Sequence, residues 1–270
     1  MTVRLALIGS PVAGSPSPAM HLAAAEALGL DIDYRATEVA PADLRGHLAG
    51  LRRTHRGLNV TRPLKERVLP LLDEVSAEAA EAGSVNTVVF EDDRAIGHST
   101  DGAGFLAALR RAGVGRVGRA LVLGTGGAAR AVVAALRREG ATVTVAGRNA
   151  AAGRRLAADL GVAFGFTSRE TLDAADLLVN ATPVGGEAPG EPHDGPLPPR
   201  LAVADLVVRP VRTALLARAE AAGCRIVPGI EMLVEQGARS FELWTGRAAP
   251  TDVMRAAALA AIGHPVRSPR

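Results

Sequence analysis

The sequence predicts an α/β fold, and three observations support it. Segments of strand character alternate with segments of helical character along all 270 residues, the pattern of a largely parallel sheet covered on both faces. Apolar residues make up 48% of the chain and aromatics only 3%, with 30 glycines. That mix suits close-packed α/β layers and excludes a disordered chain. Third, Gly124-Thr125-Gly126-Gly127-Ala128-Ala129 stands between a predicted strand and a predicted helix, the setting a glycine-rich turn of this kind requires.

In chain order, Val3 to Ile8 is a buried strand, followed by a Gly-Ser-Pro loop from Gly9 to Pro18. A helix is expected over Ala19 to Leu28, an alternating strand over Asp33 to Val39, a helix over Asp43 to Arg52 and a short strand over Gly57 to Val60. Pro63 to Leu72 then reads as a helix, with Thr61 and Arg62 as cap positions and Pro63 in its first turn. Val85 to Phe90 and Arg94 to His98 form a hairpin around Glu91-Asp92-Asp93. From Asp101 the rhythm is more regular. A helix to Arg111 and a glycine-rich connector, Gly113 to Gly118, lead into the strand Ala120 to Leu123. The glycine loop, a helix to Glu139 and the strand Ala141 to Ala146 follow. Further strands are expected at Leu177 to Asn180, Ala202 to Val207 and Arg225 to Val227, with a long surface loop from Pro183 to Pro199. The last helices, Glu231 to Leu243 and Asp252 to Ala261, are expected to pack back onto the first half.

Charge and composition narrow the function classes. The pI is near 9.9 but the net charge is only +3, the arginines are interspersed with acids, and one Tyr and one Trp are available to stack on bases. That excludes a nucleic-acid footprint. The single cysteine, Cys224, excludes an internal disulfide, reads as a small buried apolar residue and fits a reducing cytoplasm. Met1 to Gly9 runs directly into a strand without a basic leader or cleavage site. No apolar run approaches the roughly 20 residues that span a bilayer. The expectation is a cytoplasmic protein without membrane partners, a monomer or a homodimer, and without a metal. Of 31 basic side chains, 30 are arginine and one is lysine, Lys65. Arginine holds its proton near neutral pH whereas a partly buried lysine can release it, so Lys65 is a candidate for proton transfer.

The glycine loop matches G-x-G-x-x-A: its glycines let the backbone approach a pyrophosphate at the positive end of the following helix. An NAD site places Asp or Glu after the next strand. This chain has Gly147-Arg148-Asn149 there, with Arg154 and Arg155 one turn on. A guanidinium in that place pairs with a 2′-phosphate, so NADP is the expected cofactor.

The first half carries a second constellation. Ser15-Pro16-Ser17-Pro18 precedes a helix, where the two hydroxyls either cap it or hold a ligand carboxylate. Asn59-Val60-Thr61 sets two polar groups at a strand end before Lys65, and Asn86 interrupts an apolar strand, where burial demands a partner. Asp101, in Ser99-Thr100-Asp101-Gly102, is expected to cap the following helix, and its carboxylate could pair with Lys65 and orient it.

Over essentially its whole length the chain resembles the shikimate dehydrogenase family. The matching segments run in order: Gly9-Ser10-Pro11 through Pro18, Asn59-Val60-Thr61 through Lys65, Val85-Asn86-Thr87, Thr100-Asp101-Gly102, Gly124 to Arg130, Asn180-Ala181-Thr182, and Gly229 through Met232-Leu233 to Gln236. The resemblance implies an N-terminal α/β substrate domain, 1–100, completed by C-terminal helices within 236–270. It further implies a Rossmann-type NADP domain, 101–235, with a cleft between the two. By the same resemblance Ser15 and Ser17 bind the substrate carboxylate, and Thr61, Asn86, Asp101 and Gln236 its hydroxyls. Lys65 is the general acid/base, with Asp101 beside it. Gly124, Thr125, Gly126, Gly127 and Ala128 hold the pyrophosphate, Arg148 and Asn149 the 2′-phosphate, and Leu206 and Gly229 line the nicotinamide pocket. The implied reaction is NADPH-dependent reduction of 3-dehydroshikimate to shikimate, in the pathway to chorismate and the aromatic amino acids. Val208 stands where the family commonly has Tyr, Ser99 where it has Asn, and Arg62 where a small or apolar residue is commoner. Arg154 and Arg155 are displaced from the family's second phosphate position. Val208 leaves open a quinate/shikimate or aminoshikimate paralogue, or a regulator that binds ligand without turnover. Arg148 and Ser17 favour shikimate and NADP over quinate and NAD.

Overall fold

The computed structural model describes residues 2–263; the end of the expected C-terminal segment, 264–270, lies outside the described residues. The chain divides into two compact units, Met1–Thr100 with Val234–Arg270, and Asp101–Leu233.

The first unit contains β1 (Val3–Gly9), α1 (Ser17–Ala27), β2 (Ile32–Glu38), α2 (Leu44–Arg52), β3 (Gly57–Val60), β4 (Glu74–Val75), α3 (Ala77–Ala82), β5 (Thr87–Glu91) and β6 (Arg94–His98). They form a six-stranded sheet in the order β2-β1-β3-β5-β6-β4. β1 pairs parallel with β2 and β3, whereas β5 runs antiparallel to both β3 and β6. This sheet is therefore mixed rather than largely parallel. β6 returns along β5 through the expected hairpin: Asp92 and Asp93 both take positive φ, 47° and 59°, the geometry of a two-residue turn that the short aspartate side chain tolerates. Ile8, Leu58, Val60, Leu64, Val68, Val85 and Val88 share one core cluster.

The helix expected over 63–72 does not form. The segment runs through turns to a single 3₁₀ turn at Leu69–Leu71. Pro70 explains this: it offers no N–H, its ring would meet the carbonyl of Glu66, four residues back, and it disfavours the α conformation at Leu69. The helical spacing of Leu64 and Val68 is still used, since both are fully buried and the Val68 N–H donates to the Leu64 carbonyl at 2.9 Å.

The second unit contains α4 (Asp101–Arg111), β7 (Arg119–Leu123), α5 (Gly127–Arg138), β8 (Thr142–Ala146), α6 (Ala150–Leu160), β9 (Ala163–Phe164), α7 (Arg169–Ala174), β10 (Leu177–Asn180), β11 (Ala202–Asp205), α8 (Ala214–Ala221) and β12 (Arg225–Pro228). Its sheet runs β12-β11-β10-β7-β8-β9, with every pair parallel. This is the doubly wound order whose direction of winding reverses between β7 and β10. The expected loop from Pro183 to Pro199 is irregular, and Arg218 binds it through Glu191, the His193 carbonyl and the Gly195 carbonyl. Cys224 is buried in the apolar core of this unit, which pushes its thiol pKa up. α9 (Gly229–Thr245) and α10 (Thr251–Ala261) complete the chain, and α10 packs on α1. No described helix is long and apolar enough to cross a membrane.

Candidate active site

The register of the first sheet brings its polar candidates to one edge. β1 and β3 run parallel, and their carboxyl ends lead into the Ser15–Ser17 and Thr61–Lys65 loops. β5 opposes β3 with Asn59 facing Thr87, and Thr87 faces His98 at the end of β6. Asn86 and Thr100 therefore reach the same edge. The loops there are tied to one another by backbone bonds. The Thr61 N–H donates to the Ile8 carbonyl (2.8 Å), Ser10 N–H to Arg62 (2.9 Å) and Val85 N–H to Lys65 (2.9 Å). The last bond sets the Lys65 backbone beside Asn86, on a turn rather than a helix. Arg62 is exposed.

At the start of α1 the cap residue is Pro16, which offers the helix no side-chain oxygen. The Ser17 N–H reaches Ser15 Oγ at a long 3.3 Å, and the two hydroxyls are also 3.3 Å apart. Two hydroxyls at the positive end of an 11-residue helix make a fitting seat for a carboxylate.

Asn86 is held by its side chain on both sides. Its Oδ1 accepts the Thr100 N–H at 2.7 Å, and its Nδ2 donates to Thr100 Oγ1 at 2.7 Å and to Gln236 Oε1 at 2.9 Å. The structure thus joins Asn86 and Gln236, which lie 150 residues apart. Behind them is a buried layer of which the sequence singled out Asn59 but neither Tyr34 nor Ser240. Asn59 Nδ2 donates to Ser240 Oγ (3.1 Å) and Thr87 Oγ1 (3.2 Å), and Tyr34 Oη donates to Asn59 Oδ1 (2.7 Å). Ser240 Oγ lies 2.7 Å from Thr87 Oγ1 and 3.3 Å from Thr100 Oγ1. Two signals pointed to this layer: Asn59 interrupts an apolar strand as Asn86 does, and Ser240 follows Gln236 by four residues, on the same helix face. Burial pushes the Tyr34 hydroxyl pKa up, which keeps it a hydrogen-bond donor.

Asp101 is 3% exposed and opens α4 as its first residue, one place inside the expected cap position. It follows directly on Thr100 in the chain.

In the second unit the glycine loop fits a pyrophosphate. Gly124 has φ +122°, and a Cβ there would lie 2.8 Å from the Ala181 carbonyl oxygen, whereas a Cβ on exposed Gly126 would meet nothing within 4 Å. The first position therefore requires glycine, and the second leaves open approach to the amino end of α5. Gly126 caps α5 without a side-chain bond, so the first-turn N–H groups have no competing side-chain acceptor from their cap. After β8, Arg148 is exposed, while Asn149 caps α6, its Oδ1 accepting the Ala152 N–H at 3.0 Å. That bond uses the oxygen of the Asn149 amide and leaves its N–H donors out of the cap.

Leu206 and Gly229 lie together at the carboxyl edge of this sheet: a Cβ at Gly229 would be 2.5 Å from the Val207 carbonyl oxygen and 2.7 Å from that of Leu206. The Asp205 carboxylate fixes the strand end, accepting from Asn180 Nδ2 (2.8 Å), the Val207 N–H (3.1 Å) and Thr213 Oγ1 (2.7 Å). Burial raises its pKa, and the three bonds oppose that. Among the described residues no group of three or more His, Cys, Asp or Glu is placed to hold a metal ion.

Comparison with known proteins gives a consistent result. Residues 7–88 match the profile described as the shikimate dehydrogenase substrate binding domain, and residues 229–259 that of the shikimate 5′-dehydrogenase C-terminal domain. The chain is 45% identical to the NADP⁺ shikimate dehydrogenase of Thermus thermophilus, over 97% of this chain and 99% of that one. A crystal structure of shikimate 5-dehydrogenase from that organism, with NADP(H) and shikimate, superposes with a TM-score of 0.89 at 44% identity, covering 96% of this chain and 99% of that chain. Quinate dehydrogenase from Corynebacterium glutamicum, in complex with NAD, gives 0.87 at 35% identity, covering 96% and 99%.

Proposed function

The chain belongs to the shikimate dehydrogenase family, and from that premise we propose that it interconverts 3-dehydroshikimate and shikimate with NADPH and NADP⁺. The cofactor, when bound, supplies or accepts the hydride. Lys65 donates a proton to the substrate carbonyl oxygen during reduction and recovers it from the hydroxyl during oxidation. Its ammonium form stabilises alkoxide charge as that develops. Asp101 orients the lysine and binds a substrate hydroxyl. Ser15 and Ser17 receive the carboxylate at the amino end of α1, and Thr61, Asn86 and Gln236 bind the ring hydroxyls. Gly124 to Ala128 receive the pyrophosphate, Arg148 and Asn149 the 2′-phosphate, and Leu206 and Gly229 the nicotinamide.

The observation that carries this reading is the tie between the Val85 N–H and the Lys65 carbonyl, 2.9 Å. It sets the chain's one lysine at the edge where Asn86 and Gln236 meet. Exposed Arg148, in place of an acid after β8, supports NADP over NAD. Val208 supports a second reading, a quinate-active paralogue, because a small aliphatic side chain replaces the family's phenol. The protein works in the cytoplasm as a monomer or homodimer. The test is nicotinamide reduction by the purified protein with shikimate or quinate, each with NADP⁺ or NAD⁺. Dominant turnover of shikimate with NADP⁺ is expected. Dominant turnover of quinate with NAD⁺ would establish the second reading, and no turnover with any pair would overturn both.

A further inference from the structure

Among the described large hydrophobic side chains, Phe166 is conspicuous: it is 78% exposed, whereas Leu22, the next, is 40% exposed. A single exposed hydrophobic needs no partner by itself, so its place in the fold decides what it does. β9 pairs parallel with β8, Val145 facing Phe164, and the Gly165 N–H donates to the Val145 carbonyl at 2.9 Å. Phe166 thus leaves the sheet at the same carboxyl edge as Arg148, one strand further from β7. In a doubly wound sheet the pyrophosphate lies over the helix that follows β7, and the ribose at the end of β8. The end of β9 is the immediate neighbour of that of β8, one strand spacing of about 4.8 Å away, within reach of a base attached to that ribose.

The support beneath Phe166 is built. Phe164 meets it edge-on, with ring centroids 6.2 Å apart at 61°. Gly153 admits the Phe164 ring, since any Cβ there would collide with it. The Arg154 guanidinium lies over Phe164 at 5.8 Å, so a cation and two aromatic rings share one end of the sheet.

We propose that Phe166 is the stacking platform for the adenine of the dinucleotide, a specificity residue for the base rather than for the 2′-phosphate. The proposal rests on the NADP reading above. Base–aromatic stacking of this kind, removed by alanine, weakens binding by about five-fold or more.

The test is calorimetric titration of the full-length protein with adenosine 2′,5′-bisphosphate, which needs no turnover. Phe166→Ala is expected to weaken binding by about five-fold or more. Phe166→Trp should bind within about two-fold of the wild type, its new indole emission quenched as the bisphosphate stacks on it. With whole cofactors, Phe166→Ala should weaken NADP⁺ and NAD⁺ alike and leave the KM for shikimate unchanged, whereas Arg148→Ala should weaken NADP⁺ selectively. Unaltered affinity in Phe166→Ala, with the wild type binding the bisphosphate, would overturn the stacking role and leave the NADP reading standing. A wild type that does not bind the bisphosphate would overturn both.

Discussion

His21 makes the first unit acid-sensitive. The residue is fully buried on α1, its ring stacked at 4.7 Å and 14° on Tyr34, with Trp244 at 5.4 Å and Phe241 at 6.2 Å. Among the described residues neither ring nitrogen has a hydrogen-bond partner of good geometry. Burial lowers its pKa from 6.5 to about 3, and the nearby Asn59 side chain opposes this only in part. Between those two values the unfolded chain binds a proton that the folded chain refuses, so stability falls as the pH drops through this window and is unaffected above it. At about 1.4 kcal/mol per pH unit the loss is about 2 kcal/mol by pH 5 and about 3 by pH 4. His21→Phe keeps a ring in the stack and removes the titration. Urea unfolding followed by the fluorescence of Trp244, the chain's one tryptophan and a neighbour of the ring, reports on the unit that holds His21. Carboxylates titrate in both proteins and cancel in the difference, and any packing cost of the larger ring is a constant offset. The wild type should therefore lose about 2 kcal/mol more than His21→Phe between pH 7 and pH 5. A difference that stays constant from pH 7 to pH 4 would refute the buried, neutral imidazole.

Three further outcomes are expected. Lys65→Ala and Lys65→Arg should each lower kcat by about 10²-fold or more, as for loss of a general acid/base; near-normal kcat in either would remove Lys65 from proton transfer. Ser240→Ala strips a buried partner from Asn59, Thr87 and Thr100. It should cost about 1–3 kcal/mol in urea unfolding and raise the KM for shikimate while NADP⁺ affinity stays at the wild-type value, a split that general destabilisation would not give. Gly124→Ala forces a side chain into φ +122° against the Ala181 carbonyl. It should cost about 1–3 kcal/mol and weaken NADP⁺ binding in calorimetric titration, with the heat of NADP⁺ binding unchanged if the loop is not so constrained.

Local signals made some parts of the molecule legible in its sequence and hid others. The glycine loop was legible because strand, turn and helix are contiguous in the chain, although the Ala181 carbonyl that crowds Gly124 is brought there by tertiary structure. Asn86 was legible because a carboxamide cannot be buried unpaired in an apolar strand, although its partners, Thr100 and Gln236, are set by tertiary structure alone. Ser240 went unread because a lone serine on a helix usually faces water; only its i+4 relation to Gln236 distinguished it. β4 and β9 have two residues each, too short for any periodicity. α6 is alanine-rich with Gly153 in its middle, and that glycine serves the Phe164 ring rather than the helix, so local propensity and tertiary need diverge there. Asn149, expected at a phosphate, also caps α6. The unit with the mixed sheet departed furthest from expectation: its hairpin was legible, but the antiparallel pairing of β5 with β3 is set by tertiary structure rather than by any local signal.

The failed helix over 63–72 bears most directly on function. In a helix, the Lys65 carbonyl would accept the N–H of Leu69, four residues on. On the turn that forms instead, it accepts the N–H of Val85. Val85 is followed in the chain by Asn86, Asn86 is clamped by both the backbone and the hydroxyl of Thr100, and Thr100 is followed by Asp101. A short series of hydrogen bonds and one peptide link therefore orders the backbones of Lys65, Asn86 and Thr100. Leu64 and Val68, both fully buried, anchor the turn from below. The Lys65 backbone is thus fixed by tertiary bonds rather than by a helix. Arginine serves wherever this chain needs only positive charge. At position 65, whose backbone is tied into this series, stands the chain's one lysine, whose amine, unlike a guanidinium, can release its proton.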